Sequence, residues 1–193
     1  MHSCGEDIRL DGLWPLVTQG QLSYLRVIGS PKFFRAGSDP MRGLQDENQE
    51  QLLRRSSILW ELLTDDVVGV LAAPICSLLS SSLIELALYG GTPDTEVQRF
   101  TKEQEEALQL LTSLQELRFW DCKKLQCLPA GLHRLPNHKI LKIFGCPAIS
   151  SLPEDGLPSS LQELYLRSYD DNEKLKQHCR NFVQSHSQIK LVA

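Results

Sequence analysis

Several patterns that would name a function directly are missing from this sequence. No apolar run approaches the roughly 18 residues that a membrane-spanning helix needs, so no membrane span is expected. The opening MHSCGEDIRLDG carries acids where a secretory signal would have an apolar core. Six cysteines stand at positions 4, 76, 122, 127, 146 and 179, but no CxxC pair occurs among them. A disulfide framework is therefore not expected, and a reducing, cytoplasmic or nucleo-cytoplasmic setting is. Cys122, Cys127, His133 and Cys146 could be arranged as zinc ligands, though Cys122 and Cys146 have a better reading below. A basic excess is also absent: the net charge is −4, and pairs such as Arg54-Arg55 are too short to form a stripe, so no nucleic-acid partner is expected. There is no GxxxxGK[ST] loop to cradle phosphates and no GxSxG elbow to activate a serine. The paired acids Asp65-Asp66 and Asp170-Asp171 read as solvated turn or capping residues. The expectation is a protein that is not an enzyme and binds no metal or cofactor.

What is present is a repeat. The chain has 193 residues, 41% hydrophobic and 23% charged, enough for a domain with a real core. Leu114, Leu117, Phe119, Cys122, Leu125 and Leu128-Pro129 recur as His138, Leu141, Ile143, Cys146, Ile149 and Leu152-Pro153, an offset of 24 residues. Leu161, Leu164, Leu166 and Tyr169 begin a further copy. Upstream, Leu83, Leu86 and Leu88 match Leu59, Leu62 and Thr64, with Leu22, Leu25 and Val27 as a sixth candidate. A frame of LxxLxLxxC followed by LxxLP at this period is a leucine-rich-repeat signature.

Such a repeat predicts an α/β leucine-rich-repeat solenoid, curved, with parallel strands on its concave face. Each LxL forms a short strand whose alternate side chains point inward. The Cys slot turns the chain, a buried thiol acting there as a small apolar group with a weak donor. His138, in a leucine slot, is read as a partly buried histidine. Residues 1–56 give weak leading repeats with a polar insertion, whose stretch from 38 to 56 reads as a surface loop or short helix. Residues 57–169 give the leucine-rich repeats, with a helical insertion near 94–111. Thr101 and Gln104 carry capping-box spacing ahead of a helix over 102–111. Residues 170–193 give a C-terminal amphipathic capping helix and tail, with Asp170 and Glu173 at capping-box spacing and Leu175, Cys179, Phe182 and Val183 on one face. The first repeat begins without a polar cap, which predicts the tail of a larger array.

The stretches LTSLQELRFWDCKKLQCLPAGLHRLPN, LKIFGCPAISSLPEDGLPSSLQELYL and NEKLKQHCRNFVQSH resemble the C-terminal leucine-rich repeats of plant nucleotide-binding (NB-ARC) disease-resistance proteins. The resemblance is fullest over residues 64 to 190. It implies a recognition module of an intracellular plant immune receptor: a protein ligand, either a pathogen effector or a guarded host protein, and autoinhibition of a nucleotide-binding switch domain. ADP or ATP would belong to that separate module, since this chain has no phosphate loop. A free-standing repeat adaptor, a decoy and a non-functional receptor fragment are the alternatives.

The repeat frame also nominates a surface. Residues flanking the inward pairs form three outward columns: Glu85, Glu116, Ile140 and Glu163; then Ala87, Arg118, Lys142 and Tyr165; then Tyr89, Trp120, Phe144 and Arg167. Aromatic residues and arginine are enriched at protein–protein hot spots, and the flanking carboxylates suggest a basic partner.

Overall fold

A computed structural model describes residues 16–17, 20–34, 58–91, 96–167 and 172–193. The polar stretch from 38 to 56 and Asp170-Asp171 lie outside the described residues. Seven strands form one open sheet in strict chain order: β1 (Tyr24–Val27), β2 (Glu61–Thr64), β3 (Glu85–Tyr89), β4 (Glu116–Trp120), β5 (Ile140–Phe144), β6 (Glu163–Arg167) and β7 (Lys190–Val192). Every neighbouring pair is parallel. Helices α1 (Val67–Val70), α2 (Ala73–Leu79), α3 (Lys102–Gln109) and α4 (Glu173–Ser185), with a 3-10 helix over Ala130–Arg134, lie in the crossovers, so the unit is of the α/β class. Among the described residues, no helix is long and apolar enough to cross a membrane.

Strand register follows the leucines. Leu25, Leu62, Leu86, Leu117, Leu141 and Leu164 are aligned partners across six strands, and Val27, Thr64, Leu88, Phe119, Ile143 and Leu166 make a second inward row. From Leu62 to Leu164, every member of the first row is completely buried. A one-residue slip would turn both rows to solvent, so burial fixes the register. The cysteines behave as the spacing predicted. The Cys122 thiol donates towards the carbonyls of Leu88 and Trp120, each at 3.6 Å, and the Cys146 thiol towards Phe144 O at 3.3 Å.

Local chemistry sets the helix ends. Helix α3 has the predicted capping box: Gln104 N donates to Thr101 Oγ1 (3.3 Å), and Thr101 N donates to Gln104 Oε1 (2.9 Å). It stops at Gln109 rather than running to 111, and the next two residues turn down so that Leu111 fills the core. Helix α4 is capped differently from the expectation. Asn172 is the cap, so Glu173 is the first helical residue and not the third. Asn172 accepts from Leu175 N at 3.2 Å, and its amide donates to Ile149 O at 2.6 Å, tying the helix to the preceding turn. Leu175 and Cys179 are buried, and Phe182 and Val183 pack partly buried against the same core. Beyond α4 the tail read only as a cap also supplies β7, which pairs with β6 through Glu163↔Lys190.

Two further expectations are corrected. Asp66 does cap α1, its side chain accepting from Gly69 N, but neither acid is solvated: Asp65 and Asp66 are 5% and 1% exposed. Asp65 accepts from Gly29 N (2.8 Å), and Asp66 accepts from Phe34 N (2.7 Å) and Gly69 N (2.9 Å), so both bind segment 29–34 to the first turn of α1. His138 is fully rather than partly buried, because its slot lies in line with Leu114 and Leu161 beneath the sheet.

Candidate functional site

The outward face of the sheet carries the three nominated columns, in the register the spacing implied: Glu85↔Glu116↔Ile140↔Glu163, Ala87↔Arg118↔Lys142↔Tyr165 and Tyr89↔Trp120↔Phe144↔Arg167. Their surroundings differ from column to column. In the last, the Tyr89 and Trp120 rings are 6.4 Å apart at 43°, and Trp120 meets Phe144 edge-on at 6.0 Å and 90°. These rings pack on one another, which suits their quadrupoles. Even so, Trp120 remains 37% exposed and Arg167 is exposed beside the row.

The first two columns form a network of ion pairs. Arg118 reaches across the strands to Glu116 on its own strand, Glu85 on β3 and Glu61 on β2, the last at 3.7 Å. Lys142 holds the other side of Glu116 at 2.6 Å and lies 5.3 Å from the Tyr165 ring centroid. Tyr165 donates its hydroxyl to Glu163, which also faces Lys190 at 3.8 Å. Burial opposes the Arg118 charge, but Glu116, Glu85 and Glu61 together outweigh that effect and hold the guanidinium above its ordinary range. Burial pushes Glu85 upward against the pull of Arg118. The bond to Glu163 raises the Tyr165 phenol.

This network corrects two expectations. Glu116, nominated as surface, is only 6% exposed because Arg118 and Lys142 close over it. Ala87, nominated as outward-facing, is 3% exposed: its register partner Arg118 crosses strand β3 on the way to Glu61. The flanking carboxylates are thus each in contact with a cation of the chain, Glu61, Glu85, Glu116 and Glu163 sharing Arg118, Lys142 and Lys190.

Asp121 stands at the turn after β4. Its φ of 53° lies in the left-handed region, where a non-glycine residue is uncommon. There its carboxylate accepts from the Tyr89 hydroxyl at 3.1 Å. Burial first, and then this bond, raise the Tyr89 phenol. A Cβ on Gly145 would strike Asp121 Oδ1, and one on Gly90 would strike the Asp121 carbonyl, so glycine on either side lets the turns stack this closely. Glu61, Lys190, Arg26 and the strain at Asp121 escaped the sequence reading. Glu61 and Arg26 were within its reach, since each sits beside an inward leucine (Leu62, Leu25) of the same frame.

Among the described residues, no three His, Cys, Asp or Glu side chains gather closely enough to hold a metal ion. No protein-family model, curated protein or solved structure matches the chain.

Proposed function

We propose that the chain is a leucine-rich-repeat solenoid whose open sheet face is a concave protein-recognition surface. By the family resemblance of its repeats, it would serve in the cytoplasm as the sensor region of an intracellular plant immune receptor. It would bind a pathogen effector or a guarded host protein and hold a separate nucleotide-binding switch domain inactive until it does. Such a role is binding alone: it asks for no catalytic residue and no cofactor here, ADP or ATP belonging to the switch domain. The differential free energy comes from a partner that binds one packing of sensor against switch better than the other.

The observation that carries this reading is the Tyr89–Trp120–Phe144 stripe. An aromatic row in register over three strands, with Trp120 exposed and Tyr89 and Phe144 half-buried, is of the type that dominates interface energetics. The 24-residue register of β2 with β3 and of β4 with β5, and the buried Cys122 and Cys146 turns, support the repeat assignment.

A direct binding screen of the purified chain against effector proteins and their host targets tests it. Trp120→Ala is the control in that screen. A specific partner is expected to lose roughly tenfold or more in affinity on Trp120→Ala, the loss of one central aromatic anchor. Partners whose affinity ignores Trp120→Ala and Phe144→Ala would overturn the reading.

A further inference from the structure

We propose that the outward sheet face takes an acidic protein segment: an extended stretch with an aromatic or aliphatic centre and carboxylates towards both ends, lying across the strands. This rests on the recognition reading above and names the class of partner. The carboxylates of the face are spent internally. Glu61, Glu85 and Glu116 converge on Arg118, with Lys142 on the far side of Glu116, and Glu163 is held between Tyr165 and Lys190.

Two cations of the same face are not. Arg26, outward on β1, and Arg167, outward on β6, are both exposed, and neither side chain has an ion pair or hydrogen bond among the described residues. Arg167 directly follows Phe144 in register, while Arg26 lies in the neighbouring column, opposite Leu63 and in line with Ala87 and Arg118, two strands from Tyr89. Arg26 lies near enough to Tyr89 to favour its ionisation, against the larger effects of burial and Asp121. Asp121, the carboxylate at this rim, is turned onto the Tyr89 hydroxyl. What a partner meets is therefore an aromatic row with an exposed arginine following Phe144 and a second one, a column over, on the Tyr89 side of the sheet.

With strands about 4.8 Å apart, five steps from β1 to β6 span about 24 Å. An extended segment of about seven residues covers that distance at about 3.3 Å each. Unpaired arginines are suited to carboxylates because the guanidinium fork donates to both carboxylate oxygens at once and is weakly hydrated. Complementary charge at a rim steers encounter and fixes register more than it adds affinity. The aromatic row then supplies the affinity, and the arginines select which sequences use it.

The test selects a displayed library of random heptapeptides on the immobilised full-length chain. The enriched sequences are then measured against the unaltered chain, Arg26→Glu/Arg167→Glu and Trp120→Ala. Both arginines are exposed and, among the described residues, unpaired, so the charge-reversed chain should keep its melting temperature, which is measured alongside. The expected result is enrichment of acidic residues flanking an aromatic or aliphatic centre. These peptides should weaken roughly tenfold on charge reversal, and at raised salt. Enrichment of basic peptides, or acidic ones indifferent to charge reversal, overturns the proposal. If such peptides are nevertheless released by Trp120→Ala, only the acidic class fails and recognition by the stripe stands. No enrichment, or peptides indifferent to Trp120→Ala as well, removes both.

Discussion

His138 occupies an inward slot that its neighbours Leu114 and Leu161 fill with hydrocarbon. It is completely buried, and neither ring nitrogen has a hydrogen-bond partner among the described residues. Burial lowers its pKa from an ordinary 6.5 to about 4, with Glu116 pulling weakly the other way. The unfolded chain therefore takes up a proton near pH 6.5, while the folded chain resists until about pH 4. Between those values the unfolded state binds more protons, so stability falls as pH falls, and the loss is complete below about 4. A shift of this size corresponds to about 3 kcal/mol. His138→Leu should abolish that share of the pH dependence and, at pH 7, gain about 1 to 3 kcal/mol by removing unsatisfied buried polar atoms. Urea unfolding of both proteins from pH 7.5 to 4 measures it, and parallel curves would rule the effect out. The sequence showed a histidine out of place at 138, but not its full burial, which depends on how tightly the flanking turns close.

At the scale of elements, β2, β3 and β4 are held by their leucine rows beneath and by one arginine above. Arg118 is the only described cation that contacts Glu61, Glu85 and Glu116 together. Replacing it by methionine keeps most of the stem that covers Ala87 but leaves three like charges in adjacent strands. Like charges opposite one another in a sheet are destabilising. Arg118→Met should cost about 2 kcal/mol at pH 7, within the range for breaking one member of a partly shielded network. Glu85, already pushed upward by burial, loses the opposing pull of Arg118 and protonates more readily, so the deficit should shrink on acidification. A deficit unchanged between pH 7 and 4.5 would show that packing, not charge, is what Arg118 contributes. Here the legibility of the sequence divides sharply. The LxL spacing located all three strands and the capping box of α3, because inward rows and caps are local patterns. The convergence of Glu61, Glu85 and Glu116 on one side chain was not legible, because it depends on the reach of a rotamer across two strands. Nor was β7, whose three residues carry too little pattern, or the burial of Asp65 and Asp66, which the amides of Gly29 and Phe34, more than 30 residues upstream, help to enclose.

Over the whole molecule, one face of the sheet is a leucine-filled core and the other carries charge in its middle and aromatic rings along one edge. The inward rows are fully buried, and a residue such as Leu117 has no room to be lost cheaply: Leu117→Ala should cost about 2 to 5 kcal/mol. The stripe is different in kind. The register that placed Tyr89, Trp120, Phe144 and Arg167 in one row was readable by aligning the LxL cores, although only the step from Trp120 to Phe144 is 24 residues, while the exposure left to Trp120 was not. The tilted contact with Tyr89 and the edge-on contact with Phe144 are each worth about 0.5 to 1.5 kcal/mol beyond the area they cover. Whether the stripe belongs to the fold or to recognition can be read from one comparison: the unfolding free energy of Trp120→Ala beside that of Leu117→Ala, both relative to the unaltered chain in urea at pH 7. If the stripe is a recognition surface, Trp120→Ala loses less than half of what Leu117→Ala loses and unfolds with the same cooperativity. Equal losses would mean that Trp120 is there to hold the sheet together, and would contradict the proposed function at its root.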